Sequence, residues 1–341
     1  CTSIRSIDSD KSMTPGFQKN VSCLMQAGLS ANEPENPPAS VIVEPIARPF
    51  LSFQKLAKVT TEIVHNGKFS CMHVSGGLMA VGFESGATVV FDMSQRIRCM
   101  CKASSSRVTC LSISHDATYL AVGHASGDIY LYDMFQASVP ARHVPPVDPA
   151  IVSSGKGEGH FASVAIIQLK FVGARKTAII STDADGLCFY HSLGRILGMA
   201  SHDTLRVYGR YNATDPSHIY DAAPLPLGTL RHAADEHQFV ALILRHKLLI
   251  IGLKPSARTW VRSRASSNSE TASLAWFPAT HAFSQVYPPM LAFSFGNELR
   301  VLRVSSVRVK SRTPGDENTS GMKMSEEHLS TTAHPIVQLH W

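Results

Sequence analysis

Two stretches of the sequence repeat the same order of strands and turns. Residues 69–93 read FSCMHVSGGLMAVGFESGATVVFDM, and residues 108–134 read VTCLSISHDATYLAVGHASGDIYLYDM. In each, an alternating apolar strand meets a polar turn, and an Ala-Val-Gly strand, a Ser-Gly turn and a strand ending in Asp-Met follow. Gly, Asp and Ser supply the positive φ angles and local hydrogen bonds of tight turns. The pattern predicts two copies of one unit of antiparallel strands.

The spacing of the copies indicates the architecture. Gly82 and Gly123 occupy equivalent positions 41 residues apart, within the period of about 40–45 residues of WD-type propeller blades. One blade cannot bury both faces of its sheet, so blades must stack side by side. Weaker copies follow at IIQLKF (166–171), FVALIL (239–244), SLAWF (273–277) and IVQLHW (336–341). We predict an all-β, WD-repeat-like β-propeller of about five to seven blades.

The predicted domain organisation follows from polar stretches without periodicity. Residues 1–45 are expected to be an N-terminal extension or a first blade with a loop insertion, and residues 46–341 to be the propeller body. Polar insertions in the body are expected near residues 136–163, 209–236 and 311–333. The sequence starts without Met and stops directly after an apolar run. We therefore expect a fragment whose propeller is incomplete unless other chain segments close it.

Composition and charge bound the class of protein. Of 341 residues, 44% are hydrophobic and 17% are charged, which supports a globular core. Lys and Arg number 32 and Asp and Glu 26, and the net charge of +6 favours anionic partners without choosing among them. No apolar run reaches the roughly 18 residues of a membrane span. The seven cysteines are odd in number and lie mostly in apolar runs, which is typical of a reducing, cytoplasmic compartment.

The sequence lacks the motifs of common catalytic and cofactor sites. It has no GxxxxGK[ST] loop and no Gly-rich dinucleotide motif, because its glycines fall at strand-to-strand turns. Asp183 and Asp185 precede Gly186 as calcium ligands do, but no further oxygen ligands follow. The nearest approach to a zinc cluster is Cys99, Cys101, Cys110 and His115, which lack paired zinc-site spacing. We predict a protein that is not an enzyme and has no catalytic, metal or cofactor-binding residues.

Basic residues are concentrated near the C-terminal end. They alternate with apolar residues, so a strand would present them as one outward stripe, consisting of Arg300, Arg303, Arg308 and Lys310. Such a stripe is either a solvated edge that blocks strand-to-strand aggregation or a contact for an acidic partner or anionic lipid. Aromatic residues do not interleave with these cations, so nucleic acid is not an expected partner.

Residues 50–211 carry a more specific resemblance. The decisive block is GHFASVAIIQLKFVGARKTAIISTDADGLCFYHSLGRILG (159–198), with FLSFQKLAKVTTEI (50–63) before it and TLRVYGRY (204–211) after it. With the two repeats, these segments resemble the N-terminal propeller of the vacuolar protein sorting-associated protein 8 family, subunits of the CORVET endosomal tethering complex. The resemblance covers about half of the chain, and the termini and residues 212–341 share only the family's general character.

The resemblance implies a partner set and a group of motif residues. The motif residues, which we assign mainly to fold maintenance, are Gly123, His124, Gly127, Gly159, His160, Phe171, Gly173, Arg175, Asp183, Gly186, Phe189, His191 and Gly209. The implied partners are an early-endosomal Rab GTPase in its GTP form and the other CORVET and class C tethering subunits. Peripheral attachment to early endosomes is implied too. The motif does not identify the Rab-binding residues. The alternatives are a propeller that binds anionic membrane directly and a generic WD-type interaction scaffold.

Overall fold

The structure, a computed structural model, describes residues 56–173, 177–196, 199–211, 218–253, 258–263, 271–282, 284–309 and 319–340. These residues form five four-stranded antiparallel sheets that follow one another along the chain. In each sheet the strands lie side by side in sequence order, with one short hairpin inserted in the fifth. Small meandering sheets in series are propeller blades, so the predicted all-β propeller fold is confirmed.

The described elements, all from Ala57 onward, belong to one compact unit. The boundary predicted after residue 45 stays a prediction. Sheet 1 contains β1 (Phe69–Ser75), β2 (Leu78–Phe83), β3 (Thr88–Asp92) and β4 (Ile97–Cys101). Sheet 2 contains β5 (Val108–Ile113), β6 (Tyr119–His124), β7 (Ile129–Asp133) and β8 (Arg142–Val144). Sheet 3 contains β9 (Ile166–Phe171), β10 (Ala178–Asp183), β11 (Cys188–Ile196) and β12 (Met199–Tyr208).

The remaining elements complete the fold. Sheet 4 contains β13 (Ile219–Pro224), β14 (Phe239–Leu244), β15 (Lys247–Gly252) and β16 (Arg258–Ser263). The inserted hairpin consists of β18 (Thr280–Ala282) and β19 (Gln285–Tyr287). It lies within sheet 5, which contains β17 (Ala272–Phe277), β20 (Met290–Phe295), β21 (Glu298–Val309) and β22 (Thr319–Thr331). The helices are α1 (Ala57–Asn66), α2 (Pro149–Ser153) and α3 (Ala234–His237). None of these described helices has the length and apolarity to cross a membrane.

The glycines of the two Ala-Val-Gly segments lie where consecutive sheets touch. A Cβ on Gly82 would lie 2.6 Å from Val108 Cγ1 in sheet 2. A Cβ on Gly123 would lie 3.0 Å from Ile166 Cβ in sheet 3. Real side chains do not pack that closely, so glycine lets the second strand of each sheet approach the first strand of the next. The 41-residue spacing thus marks a repeated contact between blades.

Apolar residues from consecutive sheets form shared clusters, which hold the blades together. Val90 joins Leu111 and Leu120, and Leu131 joins Ile166 and Ile179. The two later interfaces are built by Ile180 with Val240 and Leu242, and by Phe239 with Trp276 and Phe293. Strand β14 contributes to both of these clusters because every one of its residues is buried, which explains its unbroken apolar run. Helix α1 packs Val59 against the apolar face of sheet 1 that contains Phe83 and Phe91.

The first strands of neighbouring sheets are also linked by hydrogen bonds. Gln168 of β9 donates to the Tyr220 carbonyl 3.1 Å away, and the Leu274 N–H donates to the Asp221 carboxylate at 3.3 Å. After sheet 5, the Leu339 N–H donates to Ser273 Oγ at 3.1 Å. The terminal IVQLHW run was predicted to open another blade. Its described residues form no strand, but Leu339 contacts the first strand of sheet 5 as the next blade's first strand would.

Three strands lie inside segments that we predicted to be polar insertions. Strand β8 falls within 136–163, β13 within 209–236 and β22 within 311–333. Strands β8 and β22 carry polar residues because each lies at one edge of its sheet and is partly exposed, whereas β13 has no exposed residue and contains Asp221, whose carboxylate accepts the Leu274 N–H. An edge strand needs only one apolar face, and in β22 that face is carried by Met322 and Met324, which pack into the core of sheet 5. Residues 311–318 lie outside the described part of the chain.

Candidate partner-binding surface

The family-motif residues of sheet 3 form a buried hydrogen-bond network. His160 Nδ1 lies 2.7 Å from the Asp183 carboxylate, and His160 Nε2 lies 2.6 Å from Ser181 Oγ. Ser181 Oγ is also 2.8 Å from His191 Nε2, and His191 Nδ1 is 3.0 Å from Thr204 Oγ1. The network connects the loop before the sheet to the second, third and fourth strands.

The network uses the residue types of nucleophilic hydrolases but lacks their access to a reactant. Ser181 is 0% exposed, and Asp183 and His160 are 1% and 2% exposed. The second carboxylate oxygen of Asp183 accepts the N–H groups of Asp185 and Leu187 at 3.1 and 2.9 Å, which closes the turn before β11. Buried polar groups of this kind stabilise a fold when every partner is satisfied. Nothing in this geometry positions a substrate.

Sheet 2 carries a related but simpler arrangement. His124 is buried, and its Nδ1 lies 2.7 Å from the Ser106 carbonyl. The turn after it is closed at Gly127, which has a φ of +92°, and a Cβ there would lie 2.5 Å from the Phe161 carbonyl oxygen. The two loops therefore approach each other so closely at Gly127 that a side chain would not fit there. In both sheets, the histidine that follows a glycine makes a short hydrogen-bonding contact through its Nδ1.

The remaining motif residues lie around the same loops. The Tyr211 hydroxyl donates to the Gly159 carbonyl and accepts its N–H, both at 3.0 Å. Phe189 packs edge-on against His160 at 4.6 Å. Gly186 and Gly209 have φ values of +78° and +97°. The other described members are Gly123, Phe171 at the end of β9 and Gly173 in a turn, while Arg175 lies outside the described residues. Assignment of these residues to fold maintenance stays a prediction.

The residues considered for metal binding do not converge. Cys101 belongs to the apolar cluster between sheets 1 and 2, and Cys110 belongs to the cluster between sheets 2 and 3. Burial raises the pKa of the Cys110 thiol, which disfavours the thiolate that a metal needs. Within the described ranges, no group of three or more His, Cys, Asp and Glu residues is arranged to hold a metal ion.

The prediction of one basic stripe is wrong for Arg300 and Arg303, because they lie three residues apart on the regularly paired strand β21 and point to opposite faces of the sheet. Both arginines lie near carboxylates of their own sheet. Arg300 lies 3.3 Å from Glu298 and 3.4 Å from Glu326. Arg303 lies 3.7 Å from Glu327, and Leu302 between the two arginines is buried. The side chain of Arg308 and all of Lys310 lie outside the described residues. Contact of these basic residues with lipid or an acidic partner stays a prediction, and the neighbouring carboxylates reduce their local positive charge.

An exposed apolar surface escaped the sequence analysis. It lies where the hairpin turns of sheets 1 and 2 meet, and we call it the hairpin-edge surface. Leu78, Ile97, Ala117, Met134 and Phe135 line one groove of this surface, and Met93 is exposed in the β3–β4 turn that leads to Ile97. Met93 is 72% exposed and Phe135 is 75% exposed. A signal was present, because both repeats end in Asp-Met at this turn, but the pattern was interpreted only as a strand end.

Two grooves indent this region. One, of about 370 Å³, lies between α1 and the β3–β4 turn and is lined by Lys58, Phe91, Arg96 and Ile97, among others. The other, of about 270 Å³, lies between sheets 1 and 2 and is lined by Leu78, Ile97, Arg98, Ala117, Met134 and Phe135. Ile97 borders both grooves. Exposed apolar patches with Met, Phe and Arg are typical of protein-binding surfaces.

Comparison with known families decides the classification. The sequence profile described as Vps8 beta-propeller matches residues 49–341. The chain belongs to the Vps8 β-propeller family. The resemblance noted over residues 50–211 is therefore confirmed, and it extends to the end of the chain.

Individual relatives are distant. The vacuolar protein sorting-associated protein 8 homolog of Mus musculus is 26% identical over 239 residues, and that of Homo sapiens is 26% identical over 242 residues. Each alignment covers 67% of this chain and 15% of the relative. The chain thus matches a small part of these curated Vps8 homologs.

Two solved propeller-containing structures are similar at low identity. The Myceliophteria thermophila Cps50 (Swd1) β-propeller domain has a TM-score of 0.46 and 13% identity, covering 78% of this chain and 73% of that chain. A chain of the mitotic checkpoint complex has a TM-score of 0.46 and 14% identity, covering 80% of this chain and 70% of its own length. At these scores neither structure adds to the family assignment.

Proposed function

We propose that the chain is the propeller of a non-enzymatic tethering-complex subunit in endosome-to-vacuole or lysosome traffic. In this role it binds a GTP-loaded early-endosomal Rab GTPase and holds its complex on the endosome. The other CORVET and class C tethering subunits are the remaining partners. The protein is cytoplasmic and attaches peripherally to early endosome membranes. The observation that carries this proposal is membership of the Vps8 β-propeller family over residues 49–341.

The geometry supports a binding role. Shared apolar clusters fix consecutive sheets against each other, which gives a rigid scaffold with exposed turns. The Ser-His-Asp network of sheet 3 is closed to reactants. In the proposed complex the GTPase carries the nucleotide, so this chain needs no phosphate-binding loop of its own. Binding can then report the nucleotide state only if the two states of the GTPase present different contacts.

Direct binding to anionic membrane is the principal alternative. It would rest on the basic residues that include Arg300 and Arg303, and both arginines have carboxylates within 4 Å. Lipid attraction grows with the number of unpaired cations near the surface, at about 1 kcal/mol each. The observed pairing therefore favours protein binding over lipid binding. A generic interaction scaffold would share the fold but would not discriminate nucleotide states.

Liposome recruitment separates these functions. The chain is mixed with neutral liposomes that carry an anchored early-endosomal Rab loaded with a GTP analogue or with GDP, and with anionic liposomes that carry no GTPase. We expect cosedimentation only with the GTP-analogue liposomes. Equal recovery with the GDP form would remove the effector role. Recovery on anionic liposomes alone would establish the membrane alternative.

A further inference from the structure

We propose that the hairpin-edge surface is the docking site for the GTPase, with apolar side chains of the GTPase seated in the two grooves and its carboxylates facing Lys58 and Arg98. This inference rests on the proposed function and adds the site of contact and its chemistry. Three observations in sheets 1 and 2 and helix α1 support it: exposed apolar side chains, turns that are fixed by hydrogen bonds, and the charges beside the grooves.

Exposure distinguishes the hairpin-edge surface from ordinary turns. Met93 and Met134 occupy the same place in two adjacent blades, directly after β3 and directly after β7, and the exposed Phe135 follows Met134. Ile97 stands between them at the start of β4 and is 45% exposed. Large apolar side chains that share one edge of neighbouring sheets form a continuous patch, whereas single exposed ones need no explanation. The patch has concave walls that a partner side chain can fill.

The turns that carry these side chains are braced before any partner arrives. Asp92 accepts the N–H groups of Ser94 and Arg96, both at 2.9 Å, and also binds the Arg96 guanidinium at 2.9 Å. In the next blade, Asp133 accepts the Phe135 N–H at 3.0 Å. A preorganised surface loses little conformational entropy on binding. The hairpin-edge surface therefore presents its apolar side chains in fixed positions.

Helix α1 is fixed to the same edge. The Lys58 N–H donates to Gln95 Oε1 at 3.2 Å, and Gln95 stands at the tip of the β3–β4 turn with a φ of +60°. Val59, on the next position of the helix, is buried in the core of sheet 1. Because of these two contacts, the wall that α1 contributes to the larger groove is fixed relative to Ile97.

Charge indicates the kind of partner. The carboxylates at this edge have partners within their own turns. Asp92 forms an ion pair with Arg96, Asp116 accepts hydrogen bonds from the Ser114 and Thr118 hydroxyls, and Asp133 accepts one from the Phe135 N–H. Glu62 of α1 accepts a hydrogen bond from Asn66 at 3.1 Å. Among the described residues, Lys58 and Arg98 have no carboxylate within ion-pair distance. Lys58 shares the larger groove with Glu62, whereas Arg98 has no carboxylate beside it in the smaller groove, so Arg98 carries most of the charge complementarity to a partner carboxylate.

A protein fits this surface better than a membrane does. Anchoring to anionic lipid requires clusters of about four to eight cations, and only two unpaired ones border the grooves. A membrane would contact only projecting side chains such as Phe135, whereas a protein can also fill the two grooves. A GTPase in its GTP form can offer a surface of fixed shape to these grooves, because its switch loops become ordered when the γ-phosphate is present. Fixed grooves discriminate an ordered loop from a mobile one.

Substitutions at exposed positions test the proposal without disturbing the core. The GTP-analogue-loaded Rab is titrated into the chain and into the variants Phe135→Ser, Ile97→Ser and Arg98→Glu. We expect each apolar truncation to weaken binding at least about tenfold, as for residues at the centre of an interface. Arg98→Glu should weaken binding more at low salt than at high salt, because it places two like charges face to face.

Matched controls lie on other sheets. Val286→Ser in β19 and Val261→Ser in β16 remove valines that are 70% and 54% exposed, and both should bind like the unchanged chain. Thermal unfolding of every variant should match the unchanged chain. If the unchanged chain distinguishes GTP from GDP but Phe135→Ser and Ile97→Ser bind normally, the docking site is wrong and the proposed function stands. If the unchanged chain binds neither form, both proposals fail. If Phe135→Ser alters only binding to anionic liposomes, the surface contacts membrane instead.

Discussion

His160 Nδ1 lies 2.7 Å from the Asp183 carboxylate, and both side chains are almost completely removed from solvent. The contact joins the loop before sheet 3 to the turn between its second and third strands. It is the innermost part of the block that distinguishes this chain from generic repeats. Its importance for folding can be measured directly.

Asp183→Ala should lower the free energy of unfolding by roughly 3–5 kcal/mol, because it leaves the buried His160, the buried Leu187 N–H and the partly buried Asp185 N–H without their acceptor. Urea denaturation followed by fluorescence measures the loss. Asp185→Ala is the control, since Asp185 is exposed two residues away, and it should cost less than about 0.5 kcal/mol. A loss below about 1 kcal/mol for Asp183→Ala would show that the network does not maintain the fold.

Substitutions at Gly127 and Gly155 distinguish the cost of backbone strain from the cost of steric overlap. Both have positive φ values, +92° and +69°. A Cβ on Gly127 would overlap the Phe161 carbonyl, whereas a Cβ on Gly155 would meet no atom within 4 Å. Gly155→Ala should therefore cost about 1–2 kcal/mol in unfolding free energy, and Gly127→Ala should cost distinctly more. Equal losses in urea denaturation would mean that the two loops are not packed together at Gly127.

His73 should make stability depend on pH. Burial, with a smaller contribution from the Lys170 charge, lowers the pKa of His73 to about 4. Its Nδ1 accepts the Ile113 N–H at 3.3 Å, which requires a neutral ring. Between about pH 6.5 and pH 4 the unfolded chain binds a proton that the folded chain does not, so stability falls as pH is lowered through this range.

The His73→Gln variant isolates that effect. Each unit of pKa difference corresponds to about 1.4 kcal/mol, so the unchanged chain should lose on the order of 2 kcal/mol more than the variant between pH 6.5 and pH 4.5. Denaturation midpoints at several pH values measure the difference. Parallel pH profiles for the two proteins would show that His73 is charged, or solvated, in the folded state.

The described cysteines should differ in reactivity. A hydrogen bond from Cys101 lowers the pKa of the Cys99 thiol, and Cys99 is half-buried on the outer strand of sheet 1. Burial raises the pKa of Cys71 to about 11 and raises those of Cys110 and Cys188 as well. Because the thiolate is the nucleophile, iodoacetamide should label Cys99 first among these residues.

Peptide mass spectrometry of samples quenched at intervals measures the labelling order. In denaturant the same cysteines should react at similar rates, which controls for intrinsic differences. Faster labelling of Cys110 or Cys188 than of Cys99 in the folded protein would contradict the burial of sheets 2 and 3.

Strands with a clear apolar pattern were predictable from the sequence, including the edge strands β9 and β17, whereas β8, β13 and β22 were not. The repeats at 69–93 and 108–134 contain β1–β3 and β5–β7, because buried strands and Gly-rich turns leave a periodic pattern. Strand β22 was missed because polar residues occupy its exposed side, and β13 was missed because Asp221 and Pro224 interrupt its apolar pattern. Burial of β14 on both faces produced the apolar run FVALIL, which was interpreted correctly as a strand.

The candidate site was less predictable. The motif residues His160 and Asp183 were identified from the resemblance, but their contact joins segments 23 residues apart and depends on the fold. Met93 and Phe135 were not identified from the sequence, because an apolar side chain in a sequence carries no sign of its exposure. Only the packing of sheets 1 and 2 shows that these two side chains face solvent.

Binding of the activated GTPase is the central claim, and isothermal titration tests it most directly. An early-endosomal Rab loaded with a non-hydrolysable GTP analogue, and separately with GDP, is titrated into the chain at physiological salt. We predict saturable binding of the GTP-analogue form, tighter by at least about tenfold, or 1.4 kcal/mol, than binding of the GDP form. Equal affinity for the two forms, or no heat of binding with either, would contradict the proposed function.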